Sequence, residues 1–433
     1  MMDWRNSLAH PGTVLVCIWG MLLVAGHASA GDSLATAALL ETPPEIDGTL
    51  ADGEWDRAIR VSPLMRWRRM EFEQREATVW MGYTKEHMYV AVRSELRPTG
   101  LITKNEMPDG KLVFDSSIEL AIDPNRANRA TGKGDLSFYQ FIANSKGVVR
   151  DVKHGLGASD TGWDSGVTAG NGIDEEAGVW IAEYAFPWQN LGVAPEVLPG
   201  KEIGLSIARN YKNPWTQPTW MPLGAAFSSV GEFPLVRLTA AEPVVRLETL
   251  KMDTFMGQSP LQVKVVNPGP ARKVQVDMVI TSTDMPKLEK TETLDVPAGG
   301  EALFAYEVTP GRLHERAKHT LNLLVTDAET KTVLFRHQGG NWNKPREQAW
   351  SVRTGPNPAA AAKVGYYPSK QVLKVWVSPI ELGKDFADTR SADIRVVDAA
   401  KTVLLDTALA WEKGPTGVGQ YTLPDIDDGL YTV

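Results

Sequence analysis

A single cysteine, Cys17, serves all 433 residues. It sits in the first thirty residues, which read as a targeting segment. Arg5 lies in a short polar start, Val14 to Ala25 is an apolar run, and Ala28-Ser29-Ala30 gives a small-residue cleavage pattern. Cleavage there starts the mature chain at Gly31 and removes the only thiol. Disulfides, thiolate metal sites and cysteine nucleophiles are then excluded. The run is too short to span a bilayer, and no later stretch is long and apolar enough to do so. The expected location is secreted, periplasmic or elsewhere in the cell envelope. Lysine and arginine, 45 in all, are outnumbered by 53 acidic residues. A formal net charge of −8 argues against nucleic acid or anionic lipid as the main partner.

Catalytic patterns are also missing. No G-x-S-x-G, P-loop or dinucleotide motif is present. Of the seven histidines, His10 and His27 leave with the targeting segment. His314 and His319 are five apart, not the four that set two zinc ligands on one helical face. His87 and His154 lack a partner pattern. With 53 acidic residues, carboxylate pairs are unavoidable. Asp115 with Glu119, and Glu175 with Glu183, are candidates for glycosidase chemistry, but the sequence offers no barrel to build a deep cleft around them. No catalytic residue is assigned, and the chain is expected not to be an enzyme.

Strand signals fill the space that helices leave. Thr78–Tyr83 and Met88–Val92 flank the polar turn 84–87, and similar β-rich runs recur at Ser117–Ile122, Phe138–Ala143, Trp180–Phe186 and Ile203–Ala208. One short helix is predicted near Asp52–Ala58. The fold class is all-β, with an N-terminal β-sandwich over 31–240 and two immunoglobulin-like β-sandwich domains over 241–350 and 351–433. Ala240–Pro243 reads as the first linker and Thr354–Ala362 as the second. Asp427-Asp428-Gly429-Leu430-Tyr431 has the shape of a tyrosine corner, which opens a penultimate strand. The last domain is therefore expected to be incomplete, and the chain to be the N-terminal part of a longer polypeptide.

Five local patterns occur in one order across the first half. They are Pro44–Trp55 with Ile46-Asp47-Gly48, the hairpin Met81–Val90, Asp115–Pro124 with Glu119, Trp180–Trp188 followed by Leu191-Gly192, and Trp220-Met221-Pro222 with Phe233–Leu238. Together they resemble a family 9 carbohydrate-binding module, one of the DOMON-like sandwiches. In the hairpin, Thr84 stands where the family usually has Asp. The resemblance implies a polysaccharide or oligosaccharide partner and a non-catalytic accessory role. It also implies a glycoside hydrolase domain beyond Val433 as the source of any O-glycosyl hydrolysis in carbohydrate catabolism. An envelope structural or adhesion protein without sugar affinity is the alternative.

Saccharides bind by stacking C–H faces on aromatic rings while polar groups fix the hydroxyls. The candidate residues are Trp67, Tyr139, Arg209, Tyr211, Asn213, Trp215, Gln217, Trp220 and Phe227. The segment Asn210–Gln217 leads, because it interleaves rings with amide and cationic donors. Trp163 reads as packing, and Trp55, Trp180 and Trp188 as core. Glu119, between apolar neighbours, is either an outward residue or a buried acid that needs a partner. Sugar-binding family members clamp the ligand between two tryptophans. Here the first slot falls at Leu112 or Val113, beside Phe114, and the second falls near Phe227. Family members also carry calcium in loops. Asp123, Asn125 and Asp135 offer oxygen ligands, although Arg126, Arg129 and Lys133 oppose a cation and a plain Asx turn fits the same residues.

Overall fold

The computed structural model describes residues 33–433, apart from 67–70, 74, 97–99, 108–110, 126–136, 156–157, 213–214, 222, 224–226, 251–258, 283–285, 309–317, 338, 342–343, 347, 352–361, 380–387, 425 and 427–430. The targeting segment therefore lies outside the described residues. So do Trp67, Asn213, Asp135, His314 and most of the expected second linker and tyrosine corner.

The chain is all-β. The first unit supplies β1 (Leu34–Ala38), β2 (Ile59–Val61), β3 (Met65–Arg66), β4 (Glu71–Phe72), β5 (Ala77–Tyr83), β6 (His87–Glu95), β7 (Ser117–Asp123) and β8 (Phe138–Asn144). It continues with β9 (Val149–His154), β10 (Ser159–Asp160), β11 (Thr168–Asp174), β12 (Val179–Pro187), β13 (Glu202–Lys212), β14 (Trp215–Thr216), β15 (Pro218–Thr219) and β16 (Leu235–Thr239). One face-to-face layer runs β10-β9-β8-β7-β13, and the other runs β11-β12-β6-β5-β2. Period-two patterning explains the burial. Ile118, Leu120 and Ile122 of β7 lie beside Ile203, Leu205 and Ile207 of the paired β13, and together they face the opposite sheet in one buried cluster. The intervening Ser117, Glu119 and Ala121 point to the outer face.

The β5–β6 hairpin turn is closed by Thr84, whose hydroxyl accepts the amides of Glu86 and His87, both at 3.3 Å. A hydroxyl thus does the turn-forming work of a carboxylate here. Where a helix is predicted, Asp52–Ala58 forms consecutive turns instead. The physical reason is local. Glu54 reaches back to the amides of Glu45 and Ala51, and Trp55 turns inward to only 4% exposure. A regular helix would not serve both.

The second unit, from β17 (Val244–Leu250) through β18 (Ser259–Val266), β19 (Arg272–Ser282), β20 (Leu288–Val296), β21 (Glu301–Val308), β22 (Lys318–Asp327) and β23 (Val333–His337), continues both sheets of the first. β17 pairs in parallel with β2, and β1 lies between β16 and β23. One buried apolar cluster runs from Ala35 to Phe335. The predicted boundary at 240 falls between β16 and β17, yet pairing and core both cross it. The third unit is built otherwise. Its strands Ala362–Tyr367, Val372–Val377 and Gly417–Thr422 form one sheet, and Ser391–Asp398, Val403–Ala410 and Tyr431–Thr432 form another. They close on a small core of their own around Leu373, Val375, Ile394 and Val396.

Candidate functional site

The outer face of the β8-β7-β13 sheet carries a carboxylate held by amides. Glu119, at the centre of β7, is 5% exposed. Its Oε1 accepts Nε2 of Gln140 at 2.7 Å. Its Oε2 accepts Nδ2 of Asn210 at 3.0 Å and Nε2 of Gln217 at 2.9 Å. Strand alternation puts Gln140 of β8 and Asn210 of β13 on this face, and Gln217 reaches in from the segment between β14 and β15. Burial pushes the Glu119 carboxyl above its usual range, while the three amides and the Lys212 charge pull the other way. Three N–H donors are what an ionised carboxylate requires.

One end of this face carries exposed apolar groups. Trp215 is 61% exposed, Phe114 65% and Val113 49%. Trp215 pairs across the tight β13–β14 hairpin with Lys212. The Lys212 ammonium donates to the Val113 carbonyl, so both exposed rings lie within one lysine's reach. Each ring has a rigid support. Phe114 ends a 3-10 turn just before Asp115, and Asp115 is fully buried. It accepts the amides of Lys104 and Asn105 and the side-chain amides of Asn105 and Asn144, at 2.9–3.1 Å. Burial pushes its carboxyl up, but these four donors outweigh burial and hold it below its usual range. On the other side Thr216 donates to Glu73 at 2.8 Å and accepts from Arg75.

The predicted binding residues separate by strand parity and by burial. Trp215 and Gln217 belong to this face. Arg209 and Tyr211 do not, because they sit on β13 beside Asn210 and Lys212 and point the opposite way, into the sandwich. Arg209 is 1% exposed. Its guanidinium lies over the rings of Trp180 at 4.8 Å and Tyr211 at 4.2 Å, and donates to Ser94 and to the Asn210 carbonyl. Burial pushes its pKa down to about 10, which leaves it charged at neutral pH. Trp220 is fully buried and donates to the Leu205 carbonyl at 3.0 Å. Phe227 packs with Leu223, Val230 and Phe233 over Ala121 and Ala208. It is part of a roof on the sheet, so the second family clamp position is filled by a core ring. Tyr139 packs on Trp163 with centroids 4.7 Å apart.

Of the predicted calcium ligands, Asp123 accepts the Asn125 amide at 3.1 Å, and Lys201 donates to Asn125 Oδ1 at 3.4 Å. No group of three or more His, Cys, Asp or Glu that could hold a metal occurs among the described residues. Sequence reasoning missed Gln140 and the role of Asn210 as a ligand of Glu119, and held Lys212 only as the cation of the Asn210–Gln217 segment. The signal was present in the shared parity of Glu119, Gln140, Asn210 and Lys212 on three adjacent strands.

No protein-family model matches the chain, and no curated protein matches it. Among solved structures it is similar to a family 9 carbohydrate-binding module from Caldicellulosiruptor kristjanssonii in complex with cellotriose. The identity is 15% over 48% of this chain and 94% of that one, with a TM-score of 0.36. A glucose complex of a family 9 module from the same organism matches at 15% identity, covering 48% of this chain and 96% of that one, at a TM-score of 0.36. A Bacteroides uniformis protein with a suspected carbohydrate-binding role matches at 14% identity, 48% and 99% coverage, and a TM-score of 0.37. The two family 9 modules each match 48% of this chain.

Proposed function

We propose that the first sandwich is a non-catalytic carbohydrate-binding module whose saccharide lies on the Trp215–Phe114 end of the β8-β7-β13 outer face. One observation carries this reading. Two large rings stand exposed beside a buried carboxylate whose amide partners fix every polar group in place. A ring that costs apolar exposure is retained where it meets a ligand, and the Lys212 ammonium, which has three N–H groups and donates to the Val113 carbonyl, offers the remaining donors to hydroxyls. Asp115 and Glu119 are each engaged by donors rather than poised as a hydrolytic pair. Glu119 is saturated by amides, and Asp115 is saturated by a loop that it organises. The targeting pattern at residues 1–30 supports a reading in which the module works outside the cytoplasm, with the second unit, fused to it through shared sheets, and the third unit as its scaffold.

The test is retention of the protein on insoluble polysaccharides. The wild type is expected to be held by at least one. Trp215→Ala is expected to weaken that retention about tenfold, near 1.5 kcal/mol, as loss of one stacking ring. Its thermal unfolding is expected to change little, since the residue is mostly exposed. The competing adhesion reading is favoured by the burial of Trp220 and Phe227, which removes two rings from the surface. It predicts no retention on any polysaccharide and no effect of Trp215→Ala.

A further inference from the structure

At the opposite edge of the same sheet, the β8-β9-β10 strands and the roof segment enclose a cleft of about 620 Å³. Its volume lies within the range typical of small-molecule sites, roughly 300–1,000 Å³. The cleft is lined by Phe138, Gln140, His154, Gly155, Ala158, Ser159 and Ser228, so among the described residues His154 is its one titratable lining group. The imidazole stacks on Phe138 with centroids 4.3 Å apart and planes at 16°, and Phe138 is braced edge-on by Phe233. The wall is therefore rigid.

The hydrogen bonds in this wall have one consistent direction. Glu119 accepts from the Gln140 amide nitrogen, so the Gln140 oxygen faces His154 as an acceptor. His154 Nε2, 2.9 Å from that oxygen, must carry a proton. Burial, and then the Arg150 charge, push the His154 pKa below its usual value, which keeps the ring neutral and makes Nδ1 an acceptor. Ser159 Oγ, 2.9 Å from Nδ1, then donates its hydrogen to the ring. Its lone pairs are left for the cleft. The chain from Glu119 to Ser159 thus presents a fixed acceptor in a lining that also holds the Ser228 hydroxyl and the apolar Ala158 and Phe138.

From this geometry we infer that the cleft is a second saccharide subsite, which takes a single neutral polyhydroxylated ring and has Ser159 Oγ accepting a ligand hydroxyl. It rests on the proposed carbohydrate-binding function, since it reads the same outer face as a saccharide surface. It is distinct from the Trp215 end, and the two ends share only the Glu119–Gln140 link. Among the described residues the lining holds no lysine, arginine or carboxylate to pair with a charged sugar, and the Glu119 carboxylate behind Gln140 and the Arg150 charge near His154 offset one another.

Saturation-transfer NMR on the full chain can test this, with the methyl glycosides of glucose, galactose, mannose and N-acetylglucosamine as probes and glucuronate as the charged control. At least one neutral glycoside is expected to bind, with glucuronate at least about tenfold weaker. Ser159→Ala, which removes the acceptor, and Ser228→Trp, which fills the cleft, are each expected to weaken binding about tenfold or more. Trp215→Ala is expected to leave glycoside binding in place, and Ser228→Trp to leave polysaccharide retention in place. The inference is overturned if no neutral glycoside saturates, if glucuronate binds equally well, or if Ser228→Trp leaves glycoside binding intact. Polysaccharide retention that survives while glycoside binding is absent overturns the subsite alone. Absent retention by the wild type overturns the proposed function itself.

Discussion

Replacing Glu73 with alanine is expected to cost about 3–5 kcal/mol of stability, the range seen when one partner of a buried ion pair is removed. Glu73 is 1% exposed. Arg66 donates to it through Nε and Nη2, both at 3.1 Å, and Arg75 through Nη2 at 3.2 Å. Without the carboxylate, two guanidinium groups remain, one of them buried at 8% side-chain exposure. The carboxyl itself reports how tightly it is held. Burial pushes it up, but the Arg66 hydrogen bonds and the Arg75 and Arg66 charges outweigh burial and hold it at about 2. A pKa below the unfolded value near 4.5 gives stability that is present above pH 4.5. That stability is lost as pH falls toward 2, to the extent of about 3 kcal/mol. Urea unfolding at pH 7 and pH 3 checks both statements. The gap between wild type and Glu73→Ala is expected to be wide at pH 7 and to narrow at pH 3, and a gap that does not change with pH would reject the account. Binding is expected to suffer as well. Glu73 and Arg75 both hold Thr216, and Arg75 lies 3.7 Å above the Tyr211 ring. The hairpin that carries Trp215 therefore loses its anchor along with the ion pair.

The first sandwich was legible because two-residue alternation and turn residues are local signals. The runs read from sequence at Ser117–Ile122 and Ile203–Ala208 lie within β7 and β13. Where a strand carries charged residues on its half-buried face as well, as β20 does with Lys290 and Glu292 in LEKTETLDV, alternation of apolar residues is too thin to read. The site was half legible for a related reason. Asn210–Gln217 reads as a loop full of donors, but β13 runs on to Lys212. Once it is a strand, parity divides it, and Arg209 and Tyr211 go to the core while Asn210 and Lys212 face out. Glu119 is both of the things the sequence allowed. It points outward from the sheet, and it is buried, because the segment after β14 folds over it. That closure depends on a contact 98 residues away in sequence, which no local pattern contains. The same holds for the joining of the first two units. β17 pairs with β2 across nearly two hundred residues, and the linker composition at 240–243 says nothing of it.

A second pH effect of opposite sign is expected from Glu183, on the outer face of the other sheet. It is fully buried beneath the opening segment, where its carboxylate accepts the Gly48 amide at 2.8 Å and the Trp55 indole N–H at 3.2 Å. Gly48 reaches this position only with a positive φ of 89° and in close approach to the backbone of Asn171 and Gly172, so the segment has little room to shift. Burial raises the carboxyl, the charges of Glu54 and Asp47 add to it, and the two hydrogen bonds offset part, leaving it at about 7. The folded pKa thus lies above the unfolded one. Its contribution is fully present below pH 4.5, and is lost as pH rises through 7. The whole shift would be worth about 3 kcal/mol at 1.36 kcal/mol per unit, and partial solvent screening reduces this to about 2 kcal/mol. Glu183→Gln removes the titration. Its amide also turns a donor toward one of the two N–H groups, a cost that does not vary with pH. Measured by urea unfolding, the stability of Glu183→Gln relative to wild type is therefore expected to improve by about 2 kcal/mol between pH 4.5 and pH 8, whatever its offset at the acid end. A difference that stays flat across that window would mean that the opening segment is not clamped by a strained carboxylate. It would then be held by Ile46, Leu50 and Trp55 packing alone.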